Sequence, residues 1–159
     1  MFVQFVQRLL SDHRLSEGAV WARRRFLAGD TLTAEGALGR SLFIIETGRL
    51  AVLGWAQLPG RPSIEVTLAE LTAGNVFGES SLIGDYESIA TVRALTDGSA
   101  IEINGAMLSV YLDDNPHQGY LFFKYLLAMA LDNLAKSNRG VVELAALGLK
   151  LHGLAKAGI

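Results

Sequence analysis

Asn75-Val-Phe-Gly-Glu-Ser-Ser-Leu-Ile-Gly-Asp-Tyr-Glu-Ser-Ile-Ala-Thr-Val-Arg-Ala-Leu-Thr-Asp97 is the stretch on which the fold turns. A Gly78-Glu79 pair opens a short apolar turn, a polar loop follows, and the β-branched run from Ile89 to Val92 reads as a strand. Short strands separated by glycine turns continue on both sides of it.

Upstream, residues 20–27 alternate as a strand does, with Arg23-Arg24-Arg25 on it. In a chain of net charge −2 such a run reads as a solvated strand face rather than an anion-binding patch. Gly29-Asp30 marks a turn. Residues 41–45 (Ser-Leu-Phe-Ile-Ile) form a buried strand, Glu46-Thr47-Gly48 a hairpin turn, and residues 49–53 the returning strand. Pro59-Gly60 and Pro62 place a loop before the strand at 64–68, and Gly74-Asn75 turns into the opening stretch. Strands this short, at intervals of about eight to twelve residues, indicate a sandwich or barrel.

Downstream, residues 100–103 are the last strand and residues 105–112 a short helix. Asn115-Pro116 is a helix start, with Asn115 as cap and Pro116 at the first position. The helix that follows, to about residue 138, is apolar nearly all round and has to be covered on more than one side. Phe123, Leu127, Ala130 and Leu134 are assigned to the roll, and Leu121, Tyr125, Ala128 and Met129 to a partner. Arg139-Gly140 is expected to interrupt it, and residues 141–156, with Leu154 among their apolar positions, form a second helix that Gly148 and Gly153 weaken. In the alternative, that tail covers the second face within one monomer. At the other end, Phe2, Val3, Phe5, Val6, Leu9 and Leu10 mark one face of a helix ended by Ser11-Asp12. It docks on its own domain or a partner, a membrane-surface helix being the weaker alternative with one arginine on its polar side.

The chain has 159 residues, half of them apolar and 19% charged, which suits one domain with a proper core and excludes disorder. The acidic balance argues against a surface built to grip a nucleic-acid backbone. Without cysteine there are no disulfides, thiolate metal sites or Cys nucleophile, and a reducing, cytoplasmic setting fits. No signal peptide is read at the start. The longest nearly apolar run, residues 120–131, is well short of the roughly 20 residues of a spanning helix. His13, His117 and His152 lack ligand spacing, so no metal is expected. Asp85, Glu87, Asp113 and Asp114 fall in loops or turns, and no nucleophile elbow or phosphate loop is present; the chain reads as no enzyme.

The order of elements, with Gly29, Gly36, Gly48 and Gly74 at tight corners, resembles the cyclic-nucleotide-binding domain family over about residues 20–138. The resemblance implies a mainly β fold with flanking helices, a double-stranded β-helix or jelly roll followed by a long C-terminal helix. It divides the chain into an N-terminal helical segment (1–19), the β-roll (20–104), a short and a long dimerisation helix (105–139) and a helical tail (140–159). In that family the opening stretch is the phosphate cassette: backbone N–H groups and an arginine hold the cyclic phosphate, and a glutamate takes the ribose 2′-hydroxyl. Aligned on Phe77-Gly78-Glu79 and on residues 90–94, this chain keeps Gly78 and Glu79, but the family's Pro-Arg pair falls on Glu87-Ser88. The implied ligand pocket is Gly78, Glu79, Ser80, Ser88 and Ile89. Ser88 replaces the phosphate arginine, Glu87 is expected to repel an anion, and Arg93 is structural or at the surface.

The resemblance therefore implies a homodimer through the long helix, a protein partner and a regulatory or scaffolding role, with no cofactor. The alternative is a small-molecule sensor that binds a cyclic nucleotide or a less anionic ligand in the roll. Relatives that read DNA add a winged helix-turn-helix of about sixty residues, for which residues 140–159 leave no room.

Overall fold

The computed structural model describes residues 1–153. In chain order the elements are α1 (Phe2–Leu10), β1 (Trp21–Phe26), β2 (Thr31–Thr33), β3 (Ser41–Thr47), β4 (Leu50–Ala56), β5 (Ile64–Leu71) and β6 (Val76–Phe77). A 3-10 helix (Glu79–Leu82) leads to β7 (Thr91–Ala94), β8 (Gly98–Asn104), α2 (Gly105–Asp114) and α3 (Pro116–Leu151). The eight strands make two four-stranded antiparallel sheets, ordered β1-β8-β3-β6 and β2-β7-β4-β5, which is the expected jelly roll between an N-terminal helix and a long C-terminal one.

Register decides which side chains face the space between the sheets. Phe26, Phe43, Ile45, Phe77 and Ala100 from the first sheet meet Leu50, Val92 and Ala94 from the second in one buried cluster. Leu42, Ile44, Ile101 and Ile103 alternate with them, so β3 and the middle of β8 are buried on both faces, and β3 reads as a continuous apolar run. The four glycines assigned to tight corners all adopt positive φ, between 79 and 94°.

Two compact units are present, Met1–Pro116 and a second beginning at His117, so α2 belongs with the sheets. One expectation for the second unit is corrected. Its helix is continuous for 36 residues, through Arg139-Gly140 and Gly148. One glycine costs about 1 kcal/mol in a helix interior, too little to break a helix whose flanking turns are rich in leucine and alanine. The exposure of α3 also differs along its faces. Phe123, Leu127 and Leu134, assigned to the roll, are exposed, as is Ala130, whereas Leu121, Tyr125 and Met129 are half-buried; of the proposed partner face only Ala128 is exposed. A helix apolar nearly all round carries no pattern that separates one face from the other. Leu154 and the end of the expected tail lie outside the described residues.

Candidate functional site

The cassette begins where β6 ends. Phe77 pairs with Phe43 across the β3–β6 register, their rings stacked at 4.8 Å and 10°. Gly78 then takes φ 83°, and a Cβ there would run into the Ser41 carbonyl and lie 3.4 Å from Phe43 Cδ2. Only glycine fits this corner. The 3-10 helix is held from within: the Ser81 N–H and hydroxyl both donate to the Gly78 carbonyl, at 3.1 and 2.7 Å, and Ser81 and Leu82 are buried. Gly105, the first residue of α2, packs against Ser81 so closely that a Cβ would sit 2.5 Å from its carbonyl oxygen.

The return loop is fastened to the β2–β3 connection. Ser88 N donates to Ala37 O at 2.7 Å, Gly36 N donates to Ser88 O at 2.9 Å, and Leu38 bridges Glu87. Neighbours on such an extended ribbon point to opposite sides. Ser88 is 9% exposed, while Glu87 lies exposed and Ile89 is 81% exposed. Glu87, expected to repel an anion, is exposed on the ribbon across from Leu38. Ser88 instead faces inward, beside Gly39 and Ser80. A methyl on Gly39 would lie 2.7 Å from Ser80 Oγ, 3.4 Å from Ser88 Oγ and 3.6 Å from Ser81 N, so two hydroxyls and one backbone N–H converge there. Neither of those hydroxyls, nor the half-buried Glu79 carboxylate, has a side-chain hydrogen bond or ion pair among the described residues; no buried side-chain polar atom there is left unsatisfied, so these groups reach solvent.

Three arginines near these elements are engaged, whereas Arg40, next to Gly39, is exposed. Arg93 Nη1 donates to both carboxylate oxygens of Glu65 at 2.8 Å, the surface role expected of it. Arg23 pairs with Glu46 at 2.7 Å, and this guanidinium holds the Glu46 carboxyl below its ordinary range. Arg24, with Arg23 and Arg25, belongs to the run read as a solvated strand face. It lies 5.8 Å from the Phe43 ring centroid and 3.5 Å from Glu102. Its spacing of two from the core residue Phe26 is the signal that places it on that sheet face. No group of three or more His, Asp or Glu suited to a metal occurs among the described residues, and none of their helices is long and apolar enough to cross a membrane.

The sequence profile of the cyclic nucleotide-binding domain matches residues 23–115, more than half of the chain, which therefore belongs to that family. Solved structures agree on the fold. A cyclic nucleotide-binding domain from Methylobacillus flagellatus is 21% identical with a TM-score of 0.71, the match covering 88% of this chain and 72% of that one. The c-di-GMP responsive global regulator CLP of Xanthomonas campestris is 20% identical with a TM-score of 0.70, covering 97% and 72%. The Thermus thermophilus catabolite activator protein is 25% identical with a TM-score of 0.61; this chain spans 60% of it, and the match takes in 92% of this chain. No curated protein gives a significant match.

Proposed function

We propose that this chain is a non-enzymatic regulatory module that keeps the cyclic-nucleotide-binding fold and lacks the charge chemistry that holds a cyclic phosphate. The observation that supports this reading is Ser88: the residue aligned with the family's arginine is buried, and its hydroxyl lies beside Gly39 and Ser80. A guanidinium offers two parallel donors and a full charge to phosphate, and a hydroxyl offers one neutral donor. Losing one charge-assisted pair costs about 1.5–3 kcal/mol, a roughly ten- to hundredfold loss of affinity. Titration calorimetry with cyclic AMP and cyclic GMP tests this; micromolar binding by the wild-type protein would sink it.

Signalling would pass through α3. Tyr120, Phe123, Leu127, Leu134, Val141, Leu144 and Leu151 are exposed and fall at the a and d positions of a heptad, with Ala130, Ser137 and Gly148 at the remaining ones. This ridge, in place of Leu121, Tyr125, Ala128 and Met129, is the proposed seam of a homodimer. Sedimentation equilibrium should show a dimer at tens of micromolar, and Leu127→Asp with Leu134→Asp should give a monomer. A wild-type monomer at that concentration would remove the seam. A protein partner of the dimer is part of the same reading.

The half-buried, unpartnered Glu79 favours a second reading, a sensor of some less anionic ligand. Among structures with this fold, the Xanthomonas campestris regulator is named for its response to c-di-GMP, so the roll is not tied to cyclic AMP.

A further inference from the structure

We infer that the cleft between the segment after α1 and the exposed face of α2 docks a basic amphipathic segment of a partner protein. Apolar side chains of that segment fill the cleft, and its lysines or arginines lie beside Asp113 and Asp114. The inference is independent of the reading of the cassette: none of the residues it uses belongs to the cassette or to the ridge of α3.

The cleft is built before any partner arrives. Asn104 N donates to Val20 O at 2.8 Å, the Tyr111 hydroxyl donates to Asp12 at 2.9 Å, and Arg14 Nη2 donates to Asn115 Oδ1 at 3.1 Å. These bonds fasten the segment after α1 to both ends of α2. Between the two lies an open cleft of about 410 Å³, with Leu15, Val20, Met107, Val110, Tyr111 and Asp114 in its lining. Walls fixed in this way spare a partner the cost of ordering them.

The exposed face of α2 supplies the apolar part. Leu15, Val20 and Tyr111 are buried, whereas Met107 and Val110 are 44% and 61% exposed. Ala106, Met107, Val110, Asp113 and Asp114 recur at steps of three and four, which places them on one side of the helix, and all five are exposed. The stripe is apolar along its first two turns and ends in two carboxylates. A helix-lined apolar groove of this kind is complementary to the apolar face of an amphipathic segment, and the flexible methionine side chain adapts to what enters.

Charge selects the partner. Residues 11–20 and 104–115, which form the two walls, hold the carboxylates of Asp12, Glu17, Asp113 and Asp114 against the basic side chains of His13 and Arg14 alone. Arg14 is already spanned by Asp12, at 3.1 Å from Nε and 2.7 Å from Nη2. Neither Asp113 nor Asp114 has an ion-pair partner among the described residues. A surface with this surplus attracts a basic partner and repels an acidic one.

The test is fluorescence anisotropy of the full chain with two labelled helical peptides of the same length and leucine pattern. One carries lysine at its polar positions and the other glutamate. The lysine peptide should bind at least about tenfold tighter, and its affinity should fall with added salt. Asp113→Asn with Asp114→Asn should weaken it about three- to tenfold, and Met107→Ser with Val110→Ser about tenfold. All four positions are exposed, so both variants should keep the circular dichroism of the wild type. Equal binding of the two peptides, no binding of the lysine peptide below about 1 mM, or binding that ignores both variants overturns the inference.

Discussion

Two polar clusters in the first compact unit are built on opposite terms. In one, Asp12 accepts from the Arg14 backbone N–H at 3.0 Å, from its Nε and Nη2 at 3.1 and 2.7 Å, and from the Tyr111 hydroxyl at 2.9 Å. Arg14 also donates to Asn115 Oδ1 at 3.1 Å and lies over the Tyr111 ring, and Asn115 Nδ2 donates to the Tyr111 carbonyl. Each side chain answers the others, and the cluster ties the segment after α1 to the end of α2. In the cassette, Ser80 Oγ and Ser88 Oγ converge beside Gly39, and neither they nor the Glu79 carboxylate has a side-chain partner among the described residues. A satisfied cluster has its partners inside the chain and serves the fold. The cassette, held on a scaffold of glycines and backbone bonds, leaves its polar side chains to solvent or to a ligand.

The sharpest way to break the contrast is to put charge back into the cassette. Ser88→Arg alone should raise cyclic-nucleotide affinity roughly ten- to hundredfold, about 1.5–3 kcal/mol, by titration calorimetry. Glu87→Pro should add little, because Glu87 lies on the solvent side of the ribbon. In the satisfied cluster, Tyr111→Phe should lower the unfolding free energy by about 1 kcal/mol in urea, with ligand binding untouched.

Acid should act on the same cluster. Hydrogen bonds from Arg14, and then from Tyr111, hold the Asp12 carboxyl well below the usual carboxylate range, and Arg23 holds Glu46 down in the same direction. Groups depressed in the folded state contribute stability above their unfolded pKa values, near 4, and that contribution is lost as pH falls through them toward the folded values. The urea midpoint should therefore drop between about pH 5 and 3, and Asp12→Asn should flatten that slope. The smallest effect is the most telling for the contrast. Ser88→Ala and Glu79→Gln should each change stability by no more than about 0.5 kcal/mol, because neither group has a partner to lose. A loss of core-like size at either position would mean that the cassette, too, is structural.

Much of this was legible in the sequence because it is local. Strand alternation, the glycine corners and the Gly78-Glu79 turn each depend on a few consecutive residues, and the structure follows them. The alignment of Ser88 with the family's arginine is a local reading of the same kind. Features set by distant contacts were not. Asn115 reads as a cap for α3, yet its side chain turns back to Tyr111 and reaches Arg14, about a hundred positions away. The side of the ribbon on which Glu87 lies is decided by the Leu38 bridge, which no spacing near Glu87 announces. The exposed face of α3 could not be read because both faces are apolar, and Gly140 passes within the helix because its neighbours carry it.

The central claim is that the cassette survives as architecture with its phosphate charge chemistry removed. Titration calorimetry of the wild-type chain and of Ser88→Arg with cyclic AMP and cyclic GMP tests it most directly. The expected result is no micromolar binding by the wild type and measurable binding by the variant. Micromolar binding by the wild type, unimproved by the arginine, would contradict the account.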